Sequence, residues 1–123
     1  MVSSRAPLAL YHILDAIQDF EGFVGTATAE EIGADRMRRY AAERCVEIIS
    51  EASRRLPETW KAEHPSIPWS DIAGIGSVLR HDYDDVNLDV IVKLRGAPIG
   101  DLRNAVVALL KKYDLESDRF IDR

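Results

Sequence analysis

The chain has 123 residues, and its 16 Lys plus Arg against 21 Asp plus Glu leave a net charge of −5. That length suits one domain spanning 1–123, and a hydrophobic share of 46% supplies a real core, so wholesale disorder is excluded. One cysteine, Cys45, excludes an internal disulfide and a cysteine-based zinc cage, and an acidic chain is a poor generic binder of nucleic acid.

Read in chain order, the pattern is helical. Leu10, Ile13, Leu14, Ile17 and Phe20 recur every three or four residues and predict a first helix, which Gly22 and Gly25 are expected to break. Thr26, Thr28 and the pair Glu30–Glu31 then look like a helix start. From Asp35, a plausible N-cap, Met37, Ala41, Cys45, Ile48, Ala52 and Leu56 step along one face of a long helix that Pro57 ends. Thr59 to Pro68 reads as a loop with one short helical turn. Trp69, Ile72, Ile75 and Leu79 restore the helical period, although Gly74 and Gly76 weaken it and ask for a reason such as close helix packing. Asn87 is placed to cap a short helix from Leu88 to Leu94, with a strand at Val90–Val92 as the alternative. Gly96, Pro98 and Gly100 read as a break before a last helix carrying Leu102, Val106, Leu109 and Leu110 to about Tyr113. The expected fold is all-α, an antiparallel bundle of four or five helices.

Twelve of the 16 basic residues are arginine, and Arg36, Arg38, Arg39, Arg44, Arg54 and Arg55 cluster on the long helix. Their plain reading is a solvated face paired with neighbouring carboxylates. The densest chemistry lies in Arg80, His81, Asp82 and Tyr83, which set a fixed cation, a group that titrates near neutrality, a carboxylate and a phenol side by side. A histidine there is suited to proton transfer and an arginine to charge developing on a phosphate. The structural alternative has His81 capping its helix and Tyr83 filling the core. His12 and His64 lack metal-ligand spacing, so neither a metal nor any other cofactor is expected. Cys45 reads as core rather than nucleophile, and Trp60 and Trp69 as packing rather than base-stacking residues. Gly76-Ser77 followed by Asn87-Leu-Asp89 faintly mimics a minimal nucleotidyltransferase, but Asn87 cannot supply the first metal-binding charge.

Four segments together resemble the HepT-like (DUF86) family of small HEPN proteins: Ile48 to Pro57 (IISEASRRLP), Pro65 to Gly74 (PSIPWSDIAG), Val78 to Tyr83 (VLRHDY) and Val86 to Val92 (VNLDVIV). The resemblance covers nearly the whole chain. It implies an all-α HEPN-like bundle forming a homodimer with a shared cleft, the toxin half of a toxin–antitoxin module and a metal-independent ribonuclease acting on RNA, tRNA included. It also implies a cognate minimal nucleotidyltransferase as antitoxin, with Tyr83 the acceptor of AMP. His81 and Tyr83 fall on the family's His-x-Tyr, and Glu51 on the carboxylate of its preceding helix. The family's arginine five residues before the histidine is here Gly76, and Ser77 replaces the usual asparagine, which leaves Arg80 to supply the cation. The alternative role is a catalytically silent dimer that a nucleotidyltransferase binds and modifies on the tyrosine. Neither DNA nor a membrane is an expected partner: no apolar run nears the roughly 20 residues that span a bilayer. The N-terminus lacks the apolar stretch of a signal peptide, and the expected location is cytoplasmic.

Overall fold

The computed structural model describes residues 5–81 and 88–114; for Val78, Arg80 and His81 within that range it describes the backbone alone. Seven helices and no strand occur among the described residues: α1 (Ala6–Val24), α2 (Ala29–Ala34), α3 (Arg36–Ser53), α4 (Glu58–Ala62), α5 (Trp69–His81), α6 (Leu88–Leu94) and α7 (Ala97–Tyr113). The chain is all-α, as the periodicity predicts. The four longest helices carry the bundle, with α1 against α3 and α7, and α5 against the far side of α3. The shorter α2 and α6 pack on each other.

The first apolar stripe is buried as expected: Leu10, Ile13, Ile17 and Phe20 have no solvent exposure. The helix is longer than its sequence signals, because Pro7 sits in its first turn, where no backbone donor is lost, and Gly22 is carried within it. It ends instead at Gly25, whose positive φ of 51° turns the chain. Thr28 opens α2 through a capping box, accepting from the Glu31 amide at 3.1 Å while Glu31 accepts from the Thr28 amide at 3.0 Å. Asp35 caps α3 by accepting from the Arg38 amide at 3.1 Å.

Two expectations need correction. Met37 was expected on the apolar face of α3 and is instead 83% exposed, while Ala42, Cys45, Val46, Ile49 and Ala52 are buried there. The short helix expected from Leu88 to Leu94 forms as α6, in place of the strand alternative at Val90–Val92. Pro98 and Gly100 do not break the last helix: α7 begins at Ala97, with its proline in the tolerant first turn, and the break is confined to Arg95 and Gly96. Gly96 has φ 93°, a left-handed conformation open chiefly to glycine. Arg95 ties this turn to the one after α1, donating to the carbonyls of Gly25 at 3.0 Å and Ala27 at 2.7 Å.

The loop between α3 and α5 carries the single short helix expected. Trp60 on α4 is 2% exposed and stacks on Tyr113 at 4.4 Å between ring centroids. Trp69 donates its indole N–H to the carbonyls of Lys61 and His64. Both tryptophans are packing residues. Glu63 accepts from Lys112 at 2.6 Å and from the Tyr113 hydroxyl, which fastens the end of α7 to this loop. No helix among the described residues is long and apolar enough to cross a membrane.

Candidate nuclease cleft

The seam between α3 and α5 is fixed at one end by polar contacts. Ser50, fully buried, donates its hydroxyl to the Ala73 carbonyl at 2.7 Å. Arg54 reaches across from the C-cap of α3 and donates to the same carbonyl through Nε at 2.9 Å and Nη2 at 2.6 Å. Gly76 lies one turn further along α5. A Cβ there would come within 3.3 Å of Ser50 Oγ and 3.7 Å of the Glu47 Cα. This glycine therefore has the reason its sequence context asked for: it lets two helices approach closely. Gly74, by contrast, is exposed and faces open space.

These contacts set the register. Arg54 and Ser50 lie opposite Ala73, and Ser50 with Glu47 opposite Gly76, so the helices run antiparallel. Each step of four residues back along α3 advances about 6 Å, and so does a step of four along α5. Glu43 is thus brought level with the backbone of Arg80 and His81 in the last turn of α5, and Arg39 lies one turn beyond it. At about 100° per residue, Arg39, Glu43, Glu47, Ser50 and Arg54 fall within an arc of about 80° on α3.

Along that arc the electrostatics change. Arg39 Nε and Glu43 Oε1 are 3.8 Å apart, close enough for charge attraction but too far for a hydrogen bond. Both atoms are out of solvent and neither has a hydrogen-bond partner among the described residues. Burial raises the Glu43 carboxyl above its ordinary value; the nearby Arg39 opposes that shift and Glu47 adds to it. The Arg39 guanidinium also lies over the Tyr40 ring, 5.1 Å from its centroid, and that ring is 54% exposed.

The other arginines behave as the plain reading expects. Arg38 pairs with Asp35, Arg44 with Glu47 at 3.3 Å and Arg55 with Glu51 at 3.0 Å, all along the same helix. Arg54 does not, because its partner is a carbonyl on another helix; no spacing rule within α3 points to that contact.

The residues expected to carry chemistry are distributed as follows. Arg80 and His81 occupy the last two positions of α5. Tyr83 lies outside the described residues, as does Asn87, the expected cap of α6. Glu51 is exposed and paired with Arg55 in an open groove of about 330 Å³ between α1 and α3, shared with His12, Asp15, Asp19 and Arg44. About 100° of helix separates Glu51 from Ser50, so its backbone position faces α1 rather than α5. No cluster of three or more metal-ligating side chains occurs among the described residues. Cys45 is buried, and burial with the neighbouring Asp19 charge pushes its thiol up to about 11, which suits a core residue and not a nucleophile. The sequence reading missed Glu43 and Arg39 as a pair; their i, i+4 spacing is visible, but nothing in the spacing tells that the pair is withdrawn from water.

The fold class is an all-helical bundle that sets Arg80 and His81 at the end of α5. Residues 13–109 match the HepT-like family, described as ribonuclease HepT-like, and the chain belongs to that family. A protein named "Probable ribonuclease HepT" from Thermococcus cleftensis is 33% identical over 102 residues, covering 83% of this chain and 93% of its own. One named "Putative RNase" from Methanocaldococcus jannaschii is 33% identical over 82 residues, 67% of this chain and 68% of that protein. Another of that name from Caldanaerobacter subterraneus subsp. tengcongensis is 32% identical over 103 residues, 84% and 92% of the two chains. No solved structure matches the chain.

Proposed function

We propose that this protein is a ribonuclease that cleaves RNA without a metal ion, as the toxin of a toxin–antitoxin module. The observation that carries the reading is membership of the HepT-like family across residues 13–109, together with relatives named as ribonucleases that align along most of their own length. In the proposed reaction a ribose 2′-hydroxyl attacks the adjacent phosphorus, a P–O bond forms there, and the bond to the 5′-oxygen breaks. His81 exchanges a proton at one of these two oxygens, and Arg80 stabilises the charge that accumulates on the phosphate. Tyr83 and Glu51 complete the proposed set. A second copy of the chain, in a homodimer, supplies the second acid–base group. The proposed location is the cytoplasm and the proposed antitoxin a minimal nucleotidyltransferase.

The test is incubation of the purified protein with tRNA in EDTA. Cleavage that Glu51→Gln weakens and His81→Ala abolishes is expected; no cleavage, or cleavage untouched by His81→Ala, overturns the reading. Light scattering at micromolar concentration is expected to give twice the 13.8 kDa chain mass.

One observation favours a second reading. Gly76 stands where the family signature has arginine, and the Ser50 hydroxyl occupies the space beside it. A chain without that cation serves as a nucleotidyltransferase's partner and substrate, with Tyr83 accepting AMP. Mass spectrometry after co-expression with the nucleotidyltransferase encoded beside it decides: an unmodified Tyr83 and no complex exclude this role.

A further inference from the structure

We infer that Arg39 supplies, from α3, a second phosphate-gripping cation beside Arg80, and that Glu43 is the positioning residue that aims it. The inference rests on the ribonuclease reading and adds a residue that neither the motif nor the spacing selects. Cleavage of a phosphodiester builds negative charge on the phosphate oxygens, and a planar guanidinium meets two of them at once. On the side of α5 that meets α3, the position before the last turn is Gly76, with Ser50 Oγ against it, so α5 offers no cation there.

The other arginines of α3 are committed elsewhere, stand apart from the arc or, like Arg36, lie beyond Arg39 at the exposed start of the helix. Arg54 lies on the same arc, but it is spent on the Ala73 carbonyl, about 12 Å of helix rise before His81. Arg44 and Arg55 pair with carboxylates beside them, and Arg38, beside Asp35, lies about 100° of helix off the arc. Arg36 is exposed at the first position of α3, outside the ladder of contacts that joins the helix to α5. Arg39 alone combines three properties. It lies on the arc that faces α5, one turn beyond the level of His81. Its Nε is withdrawn from water without a hydrogen bond, beside an equally unpartnered oxygen of Glu43. Its guanidinium lies over the Tyr40 ring, 5.1 Å from the centroid.

An unpaired buried donor and acceptor side by side are costly to a fold, and such a cost is ordinarily removed unless the site needs it. Here the arrangement matches a waiting phosphate site. A phosphate on the Nη edge draws the guanidinium forward, while the Glu43 carboxylate behind Nε keeps it from swinging into solvent. Tyr40, half exposed beside it, offers a ring on which a base of the same strand stacks.

The test compares wild type, Arg39→Ala, Arg39→Lys and Glu43→Gln on tRNA cleavage in EDTA, with thermal unfolding midpoints beside the rates. Arg39→Ala is expected to lower kcat/KM about 100-fold, and Arg39→Lys to recover part of that, since an ammonium keeps the charge but not the fork. A loss under tenfold in Arg39→Ala overturns the inference; if that variant does not fold, Arg39→Lys is judged by the same tenfold limit. Glu43→Gln is expected to lower kcat with KM and unfolding midpoint close to wild type, the pattern of misaimed chemistry; an unchanged kcat removes its positioning role. The ribonuclease reading fails separately, by a wild type that cleaves nothing. Arg39 is then judged on fluorescence anisotropy with a 2′-O-methyl oligoribonucleotide at several salt concentrations. Tenfold weaker binding in Arg39→Ala, with a salt slope smaller by about one, supports the phosphate contact. Equal affinity, or no binding by the wild type, overturns it.

Discussion

The two ends of the seam between α3 and α5 each carry an arginine and are finished differently. At the end near Ala73, a serine hydroxyl, an arginine fork and a carbonyl satisfy one another within 3.3 Å, and a glycine lets the backbones close up. At the end near His81, Arg39 Nε and Glu43 Oε1 stop 3.8 Å apart, both out of solvent and without a hydrogen bond among the described residues. The first end holds the helices together and needs no ligand. The second carries an unmet demand for polar contact, which is how a binding site differs from a structural joint.

That contrast is open to direct attack. The largest effect expected is from Gly76→Leu, which forces a side chain into the joint where even a Cβ stands 3.3 Å from Ser50 Oγ. Overpacking of this kind costs about 1–3 kcal/mol. Denaturant titration checks it, and a variant as stable as wild type shows that the joint is loose.

Ser50→Ala comes next, at about 1 kcal/mol for a buried hydrogen bond to a carbonyl that Arg54 continues to satisfy. Combined with Arg54→Ala, the loss should exceed the sum of the single losses by about 0.5 kcal/mol or more, because the carbonyl then has neither partner. Strict additivity contradicts a shared joint.

Glu43→Gln tests the other end, and its signature is a slope rather than a midpoint. Burial raises the Glu43 carboxyl above 4.5, so between that value and the raised one the folded chain holds more proton than the unfolded. This group's contribution to stability is therefore present at lower pH and lost as pH rises through its folded value. Glu43→Gln should flatten that fall; an unchanged pH profile shows that Glu43 is not held away from water.

The smallest effect is expected away from the seam. Hydrogen bonds from Lys112 and then Tyr113 hold the Glu63 carboxyl below 4.5, so its contribution is present above that value and lost as pH falls through the depressed one. Lys112→Met should remove part of this acid-side dependence and leave RNA cleavage as in wild type.

Much of the fold is legible along the chain, for local reasons. Apolar residues at three- and four-residue spacing set α1, and Thr28 and Asp35 mark helix starts because their side-chain oxygens satisfy free amides. Pro98 and Gly100 mislead because the same residues that break a helix interior are tolerated in a first turn. Met37 misleads because a stripe extrapolated to a helix end has nothing left to pack against. Of the candidate site, His81 is legible as a residue type at a helix end. Glu51 is legible as a carboxylate near it in sequence, yet its place on α3 turns it toward the groove with His12.

The sequence by itself determined the all-helical class, the family, the burial of Cys45 and the packing role of both tryptophans, because each depends on local periodicity or on a long run of matching residues. Only the tertiary structure decided which arginine is spent and which is in reserve. Arg54 and Arg39 look alike in the chain, and their difference comes from where the register of the two helices leaves each: opposite a carbonyl that needs a donor, or one turn beyond the last residues of α5. Net charge had the same limit. A total of −5 argues against indiscriminate RNA binding, but one guanidinium with its Nε held out of solvent beside a carboxylate is a local property that no sum over the chain contains.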